Sequence, residues 1–150
     1  MRCSWDDVPI GGTFELVNDK RWRGPQERRT RTTTRYLLVA RDADGATVEM
    51  TVTGSLPEPH VSRVRVPLSS WPMAEAEGLR VTALGEEIIT APAGTFRCQR
   101  CRVEIDGPAG ALVVENWMSP GLPVPVRSVH QGEHAEVTTL LVGQHRPPGG

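Results

Sequence analysis

His130-Gln131-Gly132-Glu133-His134 reproduces, letter for letter, the inverted zinc-peptidase pattern of two histidines bracketing a glutamate. That chemistry needs both imidazoles one turn apart on one face of a helix, with the carboxylate beside a metal-bound water. Gly132 at the centre and β-branched residues on both flanks favour a turn between strands instead, so the pattern reads as an exposed hairpin. Cys98-Gln99-Arg100-Cys101 has the spacing of a zinc knuckle or a redox pair. Inside a regular strand, however, residues three apart face opposite ways and lie about 10 Å apart, too far for one metal ion or one disulfide. Only a bulge at Gln99-Arg100 would bring both thiols to one face. Cys98 and Cys101 are metal-ligand candidates on that condition, with Cys3, His60, His130, His134 and His145 as the residues that would complete a site. Buried structural thiols are the expectation.

Lys20, Arg21, Arg23, Arg28, Arg29, Arg31 and Arg35 fall within sixteen residues, with Trp22 and Tyr36 among or beside them. Basic side chains interleaved with aromatics suit single-stranded nucleic acid or a phosphorylated headgroup. The plainer reading is a solvated strand face paired with acids on its neighbour, such as Glu49. With 17 basic against 18 acidic residues and a net charge of -1, there is no global field to favour nucleic acid. Arg21, Arg23, Arg29, Arg31 and Arg35 are the candidate anion-binding set. Asp6-Asp7 and Glu86-Glu87 are adjacent carboxylates, which on strands point to opposite faces and suit solvation better than acid–base work. The sequence contains no glycine-rich phosphate loop and no serine nucleophile elbow. No catalytic residue and no cofactor is assigned, and the chain reads as a non-enzyme. Four tryptophans (Trp5, Trp22, Trp71, Trp117) stand against two phenylalanines and one tyrosine, and two or three of them lining a cavity would suit an apolar ligand.

The elements that must position these residues are strands. With 150 residues the chain is sized for one domain and one core, and its 15 glycines and 13 prolines punctuate it too often for long helices. Thr13–Val17 predicts a short strand ending at Asn18-Asp19. Arg29–Arg41 alternates, with Thr30, Thr32, Thr34, Tyr36 and Leu38 on one face, and Asp42-Ala43-Asp44-Gly45 turns it into Thr47–Thr53 with Gly45 supplying a positive φ. Further strands are predicted at Val61–Leu68, Leu79–Thr90, Phe96–Ile105, Ala111–Met118, Val126–Val129 and Ala135–Val142. Trp71–Gly78 is the one plausible helical turn. The first ten residues and the last six are predicted to be poorly ordered. No run approaches a membrane span. The N-terminus turns acidic where a signal peptide would need an apolar stretch, which predicts a cytoplasmic protein, or a periplasmic one whose leader has been removed.

Ala93-Gly94-Thr95-Phe96-Arg97-Cys98, Glu115-Asn116-Trp117-Met118-Ser119-Pro120 and Pro125-Val126-Arg127 together resemble a set of uncharacterised bacterial domains carrying an AGTF-x-C strand, a W-x-S-P strand and a PVR segment. Those domains are similar to the periplasmic lipoprotein-carrier superfamily. The match covers about a quarter of the chain and rests on turn and core residues. It implies a curved antiparallel half-barrel around an apolar cavity, holding a lipid, an acyl chain or a partner's hydrophobic segment. Members of that superfamily follow a signal peptide, and Cys101 lies outside the shared pattern.

The sequence thus predicts a mainly β protein: a curved antiparallel sheet, half-barrel or open barrel, with at most one or two short helical turns. Its predicted function is to hold an apolar small molecule or protein segment on the concave face, with Trp71, Phe96 and Trp117 lining or closing it. A structural or assembly module acting through protein–protein contacts is the alternative. A cysteine-based metal or redox site and an anion or nucleic-acid binder rank behind both. Oligomeric state is left open.

Overall fold

The computed structural model describes residues 2–71, 77–108 and 110–148. The predicted helical turn at Trp71–Gly78 falls mostly outside the described residues. Eleven strands are present: β1 (Cys3–Ser4), β2 (Thr13–Trp22), β3 (Arg28–Asp42), β4 (Gly45–Thr53), β5 (His60–Val66), β6 (Ser69–Trp71), β7 (Leu79–Ala91), β8 (Gly94–Gly107), β9 (Gly110–Met118), β10 (Arg127–Gln131) and β11 (Ala135–His145). Nine of them form one antiparallel sheet in the order β5-β4-β3-β2-β11-β10-β9-β8-β7, with β5 and β7 as open edges. β1 and β6 form a separate two-stranded ribbon. The expected open antiparallel architecture is therefore what forms. The sheet curls, because the turn between β7 and β8 reaches back to β11, where the Ala93 amide donates to the Leu141 carbonyl at 3.3 Å.

Threonine and β-branched residues alternating with charged ones make the strands, since a pleated surface suits them and one face is buried. Leu38 opposes Val48, Tyr36 opposes Met50 and Thr34 opposes Val52, so the face read from the alternation in β3 is the inner one. Phe14, Leu38 and Leu141 are wholly buried at its centre, and Trp5 meets Phe14 edge-on with ring centroids 5.7 Å apart.

Four expectations change. β2 runs five residues past Val17, because Asn18 is accommodated on the inner face by partners on both neighbouring strands. Gly45 does not adopt a positive φ; the Asp42 carboxylate closes that turn by accepting from the Asp44 and Gly45 amides at 2.8 and 3.1 Å. Glycine is required there for space, since a Cβ would sit 2.8 Å from the Val66 carbonyl oxygen. The irregularity near Cys98 and Cys101 lies on β7, where the register shifts between Ala83 and Gly85, and β8 itself runs straight through.

The fourth change is at the N-terminus. In place of a loose end, Cys3, Ser4, Trp5 and Val8 are buried. Trp5–Asp7 forms a short 3-10 turn capped by the Ser4 hydroxyl, the one helical element among the described residues. The Trp5 amide donates to the Leu68 carbonyl at 2.8 Å, and the Gly121 amide to the Arg2 carbonyl at 3.1 Å. The Arg41 guanidinium donates to the carbonyls of Trp5 and Val8. At the other end His145 pairs with Thr13, and Arg146 donates to the carbonyls of Asp7 and Gly121. Residues 149–150 lie outside the described residues.

Candidate binding cavity

The strap made by the N-terminal segment, β6 and the Pro123-Val124-Pro125 connection stands off the inner face of the sheet. Between them is a cavity of about 660 Å³. Its roof is Trp5, Val66, Pro67, Ser69, Ser70 and the proline connection, and its floor is Leu16, Asn18, Tyr36, Ser128 and Thr139. That volume is in the range of small-molecule sites, and the wall is apolar with a few polar groups, as such sites usually are.

The polar groups share one row. Ser128 opposes Thr139, Thr139 opposes Asn18, and Asn18 opposes Thr32, so the four run across β10, β11, β2 and β3 on one face. The Asn18 carboxamide is fully used by its neighbours. It donates to the Thr34 and Thr32 hydroxyls at 2.9 and 3.3 Å, and accepts from the Thr139 hydroxyl at 2.8 Å. Burial pushes the Tyr36 phenol above its ordinary pKa, so it stays a neutral O–H donor. Among the described residues, none that lines the cavity carries a charge.

Of the residues singled out in the sequence, Trp71 lies half-buried on β6, opposite Cys3, and Phe96 opposes Ile89 and packs on the core. Neither Trp71, Phe96 nor Trp117 lines this cavity. Trp117 stands in a different row, Arg100–Trp117–Arg127 across β8, β9 and β10. Alternation puts that row on the opposite face from Asn116 and Ser128. There the Trp117 indole N–H donates to the Glu87 carboxylate at 2.9 Å, while the Arg100 and Arg127 guanidinium carbons lie 5.3 and 4.6 Å from its ring centroid. These residues wall a second, polar cleft of about 530 Å³ that also holds Glu115 and Glu136. Hydrogen bonds from Arg100 and Arg102 hold the Glu115 carboxyl below its usual range.

The other candidates sort by geometry. His130 lies on β10 and His134 in the β10–β11 turn, which the Gly132 amide closes by donating to Ala135; this is a hairpin, so the helical zinc geometry is absent. Cys98 and Cys101 lie on opposite faces of a regular stretch of β8, and both are buried. Burial raises the thiol pKa of Cys3 and of Cys98 to about 11, and that of Cys101 likewise upward. Among the described residues no group of three or more metal-binding side chains is placed to hold an ion. In the basic run Arg21 pairs with Glu27, Arg31 with Asp19 and Arg23 with Glu136. Arg29 lies in the same surface cleft as Arg21 and Arg31, and Arg35 borders another beside Glu15. Glu49 takes Arg63 of β5 as its partner rather than a β3 arginine.

Trp5 is one of the four tryptophans named in the sequence, whereas Asn18 and the Ser128–Thr139 pair are not singled out there. Their signal was the alternation Leu16-x-Asn18, legible only once β2 is known to continue.

The fold and cavity together define an open antiparallel sheet strapped over an apolar hollow. Two solved structures share this fold. One is a candidate exported protein with a YmcC-like fold from Bacteroides fragilis, 12% identical, with a TM-score of 0.54 over 93% of this chain and 97% of that one. The other is a candidate lipoprotein from Parabacteroides distasonis, 13% identical, with a TM-score of 0.54 over 95% of this chain and 99% of that one. The sequence resemblance to uncharacterised bacterial domains is thus matched by a YmcC-like fold. No protein-family model matches the chain, and no curated protein is similar to it in sequence.

Proposed function

We propose that the protein is a non-enzymatic binding module that holds an apolar ligand, a lipid or acyl chain, in the cavity between strap and sheet. The observation that carries this is the cavity itself: about 660 Å³ of uncharged space beside the core, roofed by Trp5 and Val66 and floored by Leu16 and Tyr36. A concave, largely apolar cleft of this size with a few polar groups on its wall has the character of a small-molecule site, and that supports a ligand. The lipoprotein-carrier resemblance supports the same reading, and the names of the two structural neighbours, one an exported protein and the other a lipoprotein, support a location outside the cytoplasm.

Displacement of a fluorescent dodecanoyl probe tests it. Wild-type protein should bind the probe at micromolar concentration, and Val66→Trp, which fills the roof from an edge strand, should weaken binding at least tenfold while keeping the unfolding transition. Equal binding by a folded Val66→Trp protein would count against the site.

A second reading, an assembly module, is favoured by edge strand β7, where Ile88 is 70% exposed and Leu84 is also exposed. An unpaired apolar edge invites another strand. If this reading holds, Ile88→Lys should abolish a concentration-dependent dimer in sedimentation equilibrium; a wild-type monomer at all concentrations removes it.

A further inference from the structure

We infer that the cavity selects an uncharged amphiphile: an aliphatic chain ending in an ester, amide or hydroxyl, in preference to a free carboxylate or an ammonium. This rests on the binding function proposed above and specifies its ligand.

The lining sets the charge rule. Among the described residues thirteen surround the space, and none of them is Lys, Arg, His, Asp or Glu. A charged head seated on this lining gives up part of its water and meets no counter-charge, whereas a neutral ester or amide gives up less. The Arg41 guanidinium is bound to the Trp5 and Val8 carbonyls and is not among the lining residues. Lys20, two residues past Asn18, sits over the Trp22 ring at 3.9 Å from its centroid, outside the lining.

The polar row sets the head-group rule. Asn18 is spoken for by Thr32, Thr34 and Thr139, which fixes the floor and leaves little of it for a ligand. The Tyr36 and Ser128 hydroxyls face the same space with no side-chain partner among the described residues. Each can donate to the carbonyl of an ester or amide or accept from a hydroxyl, and they offer a neutral head two separate places on the floor, since Ser128 stands in the Asn18 row and Tyr36 opposite Phe14, four residues along β2. The chain would lie against Leu16, Val66, Pro67 and Val124, with the head at Tyr36 or at Ser128.

Isothermal titration at pH 8 with four probes of equal chain length tests this: 1-dodecanoylglycerol, N-dodecanoylglycinamide, dodecanoate and dodecyltrimethylammonium, each below its micellar concentration. At least one uncharged probe should bind tenfold or more tighter than both charged ones. The tighter of the two uncharged probes separates a glyceride source from an acylated-peptide source, and either result supports the inference. The double substitution Tyr36→Phe with Ser128→Ala removes both places and should weaken the preferred uncharged probe about fivefold, the size expected for one neutral hydrogen bond, with the unfolding transition kept. Dodecanoate binding as tightly as the uncharged probes, or a double variant that binds them unchanged, overturns the inference and leaves the cavity reading standing. Failure of all four probes to bind overturns both.

Discussion

Asn18 stands directly across β2 and β11 from Thr139, and its side-chain oxygen accepts a 2.8 Å hydrogen bond from the Thr139 hydroxyl. That bond and the donations to Thr34 and Thr32 tie three strands together beneath the cavity. Asn18→Leu removes the partner of three hydroxyls at once. Urea denaturation should show a loss of about 1–3 kcal/mol, the range for leaving buried polar groups unpaired. Unchanged stability would mean that water satisfies the hydroxyls equally well.

Glu115 accepts from Arg100 at 2.7 Å and Arg102 at 3.2 Å, and these bonds hold its carboxyl below its ordinary value of 4.5. A carboxyl whose folded pKa is depressed contributes stability above its unfolded pKa and loses it as pH falls through the folded one. Glu115→Gln should therefore cost about 1 kcal/mol at pH 7, and the difference from wild type should shrink steadily below pH 4.5. A difference that grows toward acid would contradict the assignment.

Cys3, Cys98 and Cys101 are all buried, with pKa values raised chiefly by desolvation. Only the thiolate reacts rapidly. A disulfide-exchange reagent at pH 8 should label none of the three in the native protein within minutes and all three in denaturant. Fast labelling of one thiol in the native state would show that its segment opens.

Gly45 leaves no room for a side chain, since its Cβ would meet the Val66 carbonyl oxygen of β5 at 2.8 Å. Gly45→Ala should destabilise by about 1–3 kcal/mol, as overpacking against a fixed backbone does. Because the native φ here is not left-handed, the loss reports crowding alone. A neutral or stabilising outcome would mean that β5 shifts away at little expense.

The strands were legible because their residues alternate with period two and are separated by glycine and proline; Thr34, Tyr36 and Leu38 were placed on the correct face by that rule alone. Three features were not legible, each for a physical reason. β2 was cut short because a polar Asn18 breaks the local pattern, and its satisfaction by Thr34 and Thr139 is non-local. The N-terminal strap has little local signal, since Cys3 and Ser4 pair with Ser69 and Trp71 more than sixty residues away. Cys98 and Cys101 are buried as expected, but on opposite faces and without a bulge on β8, because there the sheet is covered on both sides, which a one-sided pattern does not foresee. The cavity inherits the first two difficulties: much of its roof comes from the strap, and Asn18 of its floor from the half of β2 beyond Val17.

The most direct test of the account is to map a bound amphiphile by amide chemical shifts. Addition of 1-dodecanoylglycerol to uniformly labelled protein should perturb Leu16, Asn18, Tyr36, Ser128 and Thr139 saturably, leaving Glu87, Arg100 and Arg127 of the opposite cleft unmoved. Perturbations gathered around Trp117 and Arg127, or along the exposed edge at Ile88, would contradict the claim that the strapped cavity is the binding site.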